Sequence, residues 1–291
     1  MPQDPVARIR RFNRAVTRET GALDQSFLGR GRPLGPARVL HAIGPDGTDL
    51  EKIRDYLDLE KALLSRFLKT LQDDGLISLA KDPADGRRRI ATLTEQGRAE
   101  QDAYNELSDT RARALLDRHP KPEASLAAMD LVASALGRDR VDLTEADPRR
   151  THAVSCLSEY YAELGRRFDT GFDVNLSRDP EATDMMPPRG SFLIARSDGL
   201  PLGCVGLKGT DKGYGEIKRL WVSPAARGLG MARRLMDAAE DAAHALGITL
   251  LRLDTNSALP EAVALYRNSG WTEIERFNDD PYPDHFFEKR L

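Results

Sequence analysis

Cysteine, clustered histidine and long apolar runs are all scarce in this sequence. Cys156 and Cys204 are the only cysteines in 291 residues. Two cysteines do not make a disulfide framework, so free thiols in a reducing cytoplasm are expected. The five histidines are scattered, without HxxxH or paired-cysteine spacing, and we therefore predict no metal site.

No stretch approaches the about 18 consecutive apolar residues that a membrane span needs. The first residues, MPQDPVARIRRFNRA, lack the apolar core of a secretion signal. We therefore expect a cytoplasmic protein with no membrane partner. The net charge of −3 argues neither for nor against nucleic acid, so any DNA-binding signal must come from a local cluster of basic residues.

The length of 291 residues is about twice that of a typical domain, so two domains are expected. The first half has helical patterns with one β-hairpin. The second half alternates strands with helices, which is typical of a mixed α/β sheet. Residues 139–150, between the halves, contain several charges and a proline. We predict domains at residues 1–138 and 151–291, joined by a linker at 139–150.

Two short helices and a hairpin form the first candidate site. Patterns predict helices at Asp49–Tyr56 and Glu60–Asp73 around a tight turn, then strands at Leu76–Leu79 and Arg89–Leu93. This arrangement lays one helix in the DNA major groove and a β-wing along the backbone. The residues predicted to contact DNA are Lys61, Ser65, Arg66 and Lys69 on the helix and Asp85, Arg87, Arg88 and Arg89 at the wing.

Arginines at a wing tip suit phosphate or minor-groove contact, although three in a row also occur in an ordinary solvated turn. The wing resembles the MarR family of bacterial regulators, whose wing reads Asp-x-Arg and later Leu-Thr-x-x-Gly. Asp85, Arg87, Leu93, Thr94 and Gly97 fall at those spacings. The resemblance implies a mainly α winged helix-turn-helix domain in which Asp85 holds Arg87 for insertion into the minor groove. It also implies that the long flanking helices form a homodimer.

The second half contains a loop suited to binding an anion. A strand at Glu216–Val222 is followed by Arg-Gly-Leu-Gly-Met-Ala, residues 227–232, and then by an amphipathic helix. Small residues in this position let backbone N–H groups approach an anion at the N-terminus of a helix, where the dipole also favours negative charge. Arg227 and Arg233 add positive charge.

These residues resemble the GNAT superfamily, whose signature is Gln/Arg-x-x-Gly-x-Gly/Ala. Arg227, Gly230 and Ala232 match it, with Ala in the last place. The resemblance implies an α/β mixed-sheet fold and acetyl-CoA as the co-substrate, with its pyrophosphate on the loop N–H groups. The implied cofactor-binding residues are Leu220, Trp221, Val222, Arg227, Gly228, Leu229, Gly230, Met231, Ala232, Arg233 and Asn256.

A second block that resembles this family runs through Asp254–Asn256 and Ala262–Trp271. By that resemblance Tyr266 lies near the thioester sulfur as the general acid, whereas a tyrosine taken alone is more often a half-buried helix residue. Glu216 begins the strand before the loop and is a plausible base for the attacking amine, directly or through water. The alternative for Glu216 is a solvated glutamate at a strand start.

Carboxylates and phenols mark the expected acceptor side of this domain, in Cys156–Arg167, Phe168–Pro188 and Phe277–Phe287. They suit a cationic acceptor such as a small amine or a protein lysine, although surface carboxylates are common. Direct transfer needs no covalent enzyme intermediate, so Cys204 is interpreted as a small apolar core residue.

The combined hypothesis is a homodimeric MarR–GNAT fusion that represses or activates transcription on double-stranded DNA and N-acetylates an amine. Two rivals remain. In the first, a transcription factor uses its second domain only to sense acetyl-CoA, without catalysis. In the second, an enzyme uses its winged helix only for dimerisation. The operator, the acceptor and any coupling between the domains stay open.

Overall fold

A computed structural model of the chain describes residues 4–176 and 182–291. The chain divides into two compact units, residues 1–122 and 123–291. Within the described ranges no helix is both long and apolar enough to cross a bilayer.

The first unit is mainly α-helical, with one small antiparallel sheet in the strand order β1-β3-β2. Its helix pair and hairpin lie where the sequence patterns predict them, so the predicted fold class is confirmed for this half. Its elements are α1 Pro5–Glu19, α2 Leu34–His41, β1 Thr48–Asp49, α3 Leu50–Leu57, α4 Lys61–Asp73, β2 Ile77–Lys81, β3 Arg89–Leu93 and α5 Glu95–Asp117.

Local side-chain chemistry explains where the helix pair begins and turns. The Asp49 carboxylate caps α3 by accepting from the N–H of Glu51 at 2.7 Å, which satisfies a backbone donor that no helical carbonyl reaches. Asp58 ends the helix in the left-handed region, with φ 52°, a conformation that aspartate tolerates better than most residues. The chain therefore reverses sharply into α4, which buries Leu64, Leu68 and Leu71 against the core.

The start of α5 depends on a glycine that touches the backbone of the hairpin. Thr94 caps the helix by accepting from the Gly97 N–H at 3.0 Å. A Cβ built on Gly97 would lie 1.9 Å from the Leu76 carbonyl oxygen, a distance that atoms cannot occupy. Only glycine fits at this contact, which is the physical reason for the last residue of the Leu-Thr-x-x-Gly pattern.

The second unit is a seven-stranded sheet with helices on it, in the order β4-β5-β6-β7-β8-β10-β9. Its pairs are antiparallel except for β7 with β8, so the predicted mixed α/β fold is confirmed. Its elements are α6 Pro122–Leu136, which begins at the boundary between the units, β4 Asp142–Glu145, α7 Thr151–Arg167, β5 Ser191–Ser197, β6 Leu200–Gly209, β7 Gly215–Val222, α8 Met231–Ala245, β8 Leu250–Thr255, α9 Pro260–Arg267, β9 Thr272–Glu273 and β10 His285–Arg290.

The segment predicted as a linker, residues 139–150, differs in the structure. It contains strand β4, which pairs with β5 from Asp142 opposite Arg196 to Glu145 opposite Leu193. Val141 and Leu143 pack into the main core of the sheet, and this burial outweighs the polar composition that favoured a linker. The two-domain boundaries of 138 and 151 stay predictions, and residues 142–145 belong to the sheet.

Two apolar layers enclose the sheet. One cluster joins α8 and α9 to the strands through residues such as Leu235, Val263 and Leu253. A second cluster joins α7 to β5 and β6 through Cys156, Phe192 and Cys204. The central strand β7 contributes to both clusters, because its side chains alternate between the two faces.

We predict that Gly97→Ala destabilises the first unit by about 2–3 kcal/mol, because the new methyl group must push the backbone of Leu76 aside. Gly86→Ala is the matched control, since a Cβ at Gly86 meets nothing within 4 Å. Differential scanning calorimetry of the full chain measures the effect. Both tryptophans, Trp221 and Trp271, lie in the second unit, so their fluorescence transition should not move. Equal transitions for the two variants would contradict this account.

Candidate functional site

Strands β7 and β8 pair only at their amino ends and then separate. Their parallel register runs from Gly215 opposite Leu251 to Ile217 opposite Leu253. Immediately after that, Arg219 adopts a left-handed backbone, with φ 58°. The register between β6 and β7 shifts at the same place, between Cys204 and Gly206, so two residues of β7 face one of β6. This β-bulge turns β7 away from β8 and opens a gap between their carboxyl ends.

The loop after β7 presents unsatisfied backbone donors at the N-terminus of α8. Gly228 and Gly230 have φ 75° and 79°, which L-residues with a Cβ rarely adopt. Among the described residues no side chain caps α8 at Gly230. A Cβ on either glycine would meet nothing within 4 Å. The first N–H groups of α8 therefore face open space, and with the helix dipole they form an anion site.

This anion site opens into a cavity of about 410 Å³, called here the β7 groove. Leu229 and Asn256, two predicted cofactor residues, are not part of its wall. The predicted residues that line the β7 groove are Leu220, Trp221, Val222, Arg227, Gly228, Gly230, Met231, Ala232 and Arg233. The structure thus brings together most of the residues that the loop signature implied, and their contacts with a cofactor stay predictions.

Glu163 organises the wall of the β7 groove, and the sequence analysis assigned it to the acceptor side instead. Its Oε2 accepts a hydrogen bond from Trp221 Nε1 at 3.1 Å and pairs with the guanidinium of Arg227. Arg227 also donates from Nε to the Val222 carbonyl at 3.1 Å. Glu163 therefore ties α7 to the end of β7 and to the loop. Glu163 lies 64 residues before Arg227 in the sequence, so no local sequence pattern indicates that the two side chains pair.

A second cavity, called here the inner cavity, lies where β7 and β8 separate. It shares Tyr160, Leu164, Leu220, Leu259 and Ala262 with the β7 groove, so the two spaces are adjacent. Its remaining lining residues are Phe168, Phe172, Ile217, Lys218, Arg219, Asp254, Thr255, Asn256, Tyr266, Asp280, Tyr282 and Pro283.

Tyr266 reaches the inner cavity from α9 and is 5% exposed. Its ring packs against Trp271 and Phe287. Burial, and then the nearby charge of Asp254, raise the pKa of the Tyr266 phenol. Within the described part of the chain no side chain hydrogen-bonds its hydroxyl. The cavity therefore contains a neutral phenol that can donate its proton to a group placed beside it.

A buried polar cluster stands next to Tyr266. Lys218 Nζ donates to Asp254 Oδ2 at 2.7 Å and lies 3.7 Å from Glu216 Oε2. Asn278 donates to the same Asp254 oxygen at 2.5 Å. Burial lowers the pKa of Lys218, but Asp254, Glu216 and Asp280 together outweigh it and raise that pKa. Lys218 therefore stays charged, and its charge is matched within the cluster.

The structure places Glu216 behind this cluster and not on the cavity wall. Glu216 is 7% exposed, and the wall at that point is formed by Lys218 and Asp254. The solvated alternative is therefore wrong for Glu216. Its role as the base stays a prediction.

Asn256 lies at the end of β8, where both ends of its amide are engaged. Nδ2 donates to the Tyr282 carbonyl at 2.6 Å, and Oδ1 accepts from the Ala258 N–H at 2.8 Å. The side chain therefore holds the loop before α9 against the C-terminal segment. Asn256 borders the inner cavity, and its contact with a cofactor stays a prediction.

The cysteines lie away from both cavities. Cys156 and Cys204 are 1% and 0% exposed, and burial raises the pKa of the Cys204 thiol well above its usual value. This placement fits the interpretation of Cys204 as an apolar core residue. Of the segment Phe168–Pro188 predicted for the acceptor side, residues 177–181 lie outside the described residues. Within 4–176 and 182–291, no three His, Cys, Asp or Glu side chains converge as metal ligands do, and the absence of a metal stays a prediction.

The residues predicted to contact DNA lie on helix α4 and at the tip of the wing. On α4, Lys61, Ser65, Arg66 and Lys69 are exposed, while the opposite side of the helix is buried. At the wing tip Asp85 Oδ1 accepts from both the N–H and the Nε of Arg87, at 3.1 and 3.3 Å. Asp85 also lies 3.7 Å from Arg88 Nε.

The wing therefore has the acidic anchor that the resemblance implied. The Arg87 side chain is 93% exposed, and Arg89 is exposed at the start of β3. Contact of these residues with DNA stays a prediction.

Two family models match the chain, one in each half. The model described as the acetyltransferase (GNAT) family matches residues 157–271. The model described as a winged helix DNA-binding domain matches residues 37–97. The first match spans the loop after β7 and Tyr266, and the second spans the helix pair and the wing.

Individual proteins are similar to parts of the chain. The chain is 42% identical over 105 residues to an IAA acetyltransferase of Azospirillum brasilense, covering 34% of this chain and 67% of that protein. It is 36% identical over 134 residues to an uncharacterised N-acetyltransferase of Schizosaccharomyces pombe, covering 44% and 79%. A solved MarR-family transcriptional regulator from Rhodococcus sp. RHA1 aligns at 18% identity with a TM-score of 0.40, covering 46% of this chain and 95% of that one.

We predict that Gly230→Asp raises the Kd for acetyl-CoA at least about 100-fold, because a carboxylate at the helix N-terminus repels the pyrophosphate. Gly247→Asp is the matched control: Gly247 also has positive φ, 73°, and open space around it, but it follows the other end of α8. Calorimetric titration of acetyl-CoA into both variants and the parent gives the comparison. Equal weakening by the two variants would show that backbone strain, and not the anion site, is responsible.

Proposed function

The chain belongs to the GNAT family of acetyltransferases and carries a winged helix DNA-binding domain before its catalytic domain, and from this premise we propose that it acetylates an amine with acetyl-CoA and binds double-stranded DNA as a homodimer. The observation that carries the proposal is that the cavity at the N-terminus of α8 lies next to the cavity that contains the buried phenol of Tyr266.

The residues of the β7 groove fit acetyl-CoA. The uncapped N-terminus of α8, with Arg227 and Arg233 beside it, suits the pyrophosphate. The apolar side chains of Leu220, Val222 and Ala226 border the path toward the inner cavity and suit the pantetheine arm. When bound there, acetyl-CoA supplies the acetyl thioester for transfer.

The gap between β7 and β8 provides electrostatic assistance in this proposal. Beyond Ile217, the backbone groups of β7 that point toward β8 are not paired with it. An N–H near Val222 is thereby available to polarise the thioester carbonyl, without the cost of breaking a sheet hydrogen bond.

Tyr266 and Glu216 share the proton transfers. Tyr266 protonates the departing thiolate, and its burial keeps the phenol protonated until that step. Glu216 takes the proton of the attacking amine through water beside Lys218. The ion pair of Lys218 with Asp254 keeps that polar cluster charged and rigid within the protein interior.

The first unit supports the DNA-binding part of the proposal with two surfaces. Its helix α4 and its wing each expose basic residues, and Asp85 positions Arg87 at the wing. Helix α1 exposes an apolar stripe at helical spacing, in which Val6, Ile9, Phe12 and Val16 are 53%, 60%, 44% and 42% exposed. An apolar stripe of this length is costly in water, and we propose that a second copy of the chain covers it.

We predict that Tyr266→Phe lowers kcat about 100-fold, since a positioned acid contributes at least that factor, while the Kd for acetyl-CoA stays unchanged. Because the pKa of Tyr266 is raised, the phenol keeps its proton as the pH increases. Ionisation of Tyr266 should therefore not lower the kcat of the parent below about pH 10. Release of free CoA thiol in a screen of primary amines gives kcat.

Tyr214→Phe is the control, because Tyr214 is equally buried in the same unit but lines neither cavity. Full turnover in both Tyr266→Phe and Glu216→Gln would overturn these assignments. Tight binding of acetyl-CoA by the parent with no transfer to any amine would favour the sensing function.

We predict that Arg87→Ala weakens DNA binding about tenfold and reduces the slope of log K against log salt by about one. The cause is the loss of one charge that reaches the minor groove from the wing. Lys212→Ala removes the same charge from an exposed turn of the second unit and serves as the control. Fluorescence anisotropy with duplex DNA at several salt concentrations gives both quantities. An unchanged slope for Arg87→Ala would mean that the wing does not contact DNA.

A further inference from the structure

Five aromatic side chains meet at the outer end of the inner cavity. Tyr160 and Tyr161 come from α7, Phe168 and Phe172 follow it, and Tyr282 comes from the C-terminal segment. The ring centroids of Phe172 and Tyr282 are 4.8 Å apart, and Phe168 lies 5.8 Å from Tyr282. We call these five residues the aromatic cluster. All of them except Tyr161 line the inner cavity.

The hydroxyl of Tyr282 holds this cluster together. It accepts from the Asp173 N–H at 2.9 Å and donates to the Asp173 carbonyl at 3.3 Å. Asp173 directly follows Phe172, so the two hydrogen bonds keep the Phe172 and Tyr282 rings in contact. Two chain segments that are 109 residues apart in sequence are joined in this way over the cavity that contains Tyr266.

Phe168 and Tyr282 also separate the inner cavity from a polar cleft outside it, since both residues line both spaces. The inner cavity is small, about 80 Å³, and holds little more than an amino group on a short stem. The body of any acceptor therefore lies at the level of the aromatic cluster, where the surface available to it is mainly the faces and edges of rings.

The charges on the wall of the inner cavity are balanced. Lys218 and Arg219 are matched by Asp254 and Asp280, and Lys218 is paired with Asp254. A polyamine carries several cationic groups and would need an excess of carboxylates, which this wall does not offer. The balance fits an acceptor that brings a single amine into the cavity.

We propose that the acetyl acceptor is a small primary amine in which a short stem joins the amino group to an aromatic ring. The ring lies against Phe168, Phe172 and Tyr282, and the amino group lies toward Tyr266. The inference rests on the proposed acetyl transfer and adds its substrate class. In the reaction the amine nitrogen forms a C–N bond to the acetyl carbon and the C–S bond breaks. The amine proton leaves through water to Glu216, and the thiolate takes the Tyr266 proton.

A lysine within a polypeptide fits this cluster less well than a free aromatic amine. Its aliphatic stem gains none of the offset or edge-to-face contacts that ring pairs make at these distances.

Binding of amines to the full-length protein saturated with CoA tests the proposal without requiring turnover. By calorimetry, 2-phenylethylamine is expected to bind about twofold to tenfold more tightly than 2-cyclohexylethylamine, which has a ring of similar size without π electrons. Spermidine and a lysine-containing peptide are expected to bind more weakly than either. Tyr282→Leu should abolish the aromatic preference, and Tyr282→Phe, which keeps the ring but loses the hydrogen bonds to Asp173, should retain part of it.

Phe277→Leu is the control, because Phe277 belongs to the same C-terminal segment but packs on Tyr214 and Phe286, outside the cavity lining. Tightest binding of spermidine or of the peptide would overturn the proposal. So would an aromatic preference that survives in Tyr282→Leu, or the absence of any amine binding to the CoA complex. Failure of the parent to bind CoA at all would instead overturn the proposed acetyl transfer on which the inference rests.

Discussion

The separation of β7 from β8 is the constraint on which the catalytic half depends. Parallel strands normally stay paired, and the pairing here ends at Ile217 because Arg219 adopts a left-handed backbone within a bulge. The side chain of Tyr266, from α9, lines the cavity that this gap leaves. The gap also leaves the backbone groups of β7 beyond Ile217 unpaired with β8. Without the bulge, a continuous ladder would fill the space that both cavities occupy.

Opening a sheet in this way exposes polar groups to a dry interior, and the surrounding side chains compensate for it. Removing one member of a buried ion pair typically costs about 3–5 kcal/mol. Lys218, which is 9% exposed, is therefore matched by Asp254 and Glu216. At the loop after β7, Glu163 pairs with the charge of Arg227 and accepts a hydrogen bond from Trp221. The rigidity of the candidate active site comes from these pairs as much as from the apolar core.

The winged helix is organised by contacts of a different kind, which lie within short stretches of chain. Asp49 caps α3, Asp58 reverses the chain, Thr94 caps α5, and Asp85 holds Arg87 two residues away. Each contact spans a few residues, so each is present as soon as the local backbone forms. The surface that faces DNA in our proposal is therefore built from local geometry on a small core, whereas the catalytic half needs the whole sheet.

This difference decides what could be predicted. The sequence by itself determined the helix pair, the wing and the loop after β7, because caps, glycine conformations and hydrophobic periodicity act over a few residues. The placement of Tyr266 beside a thioester was implied by the family resemblance and stays a prediction. The sequence did not reveal β4, since a short edge strand among charged residues has no periodic signal of its own. Glu163 lies 64 residues from Arg227, and Tyr282 lies 109 residues from Asp173. Only the tertiary structure decided those pairs, because they form after the sheet has brought distant segments together.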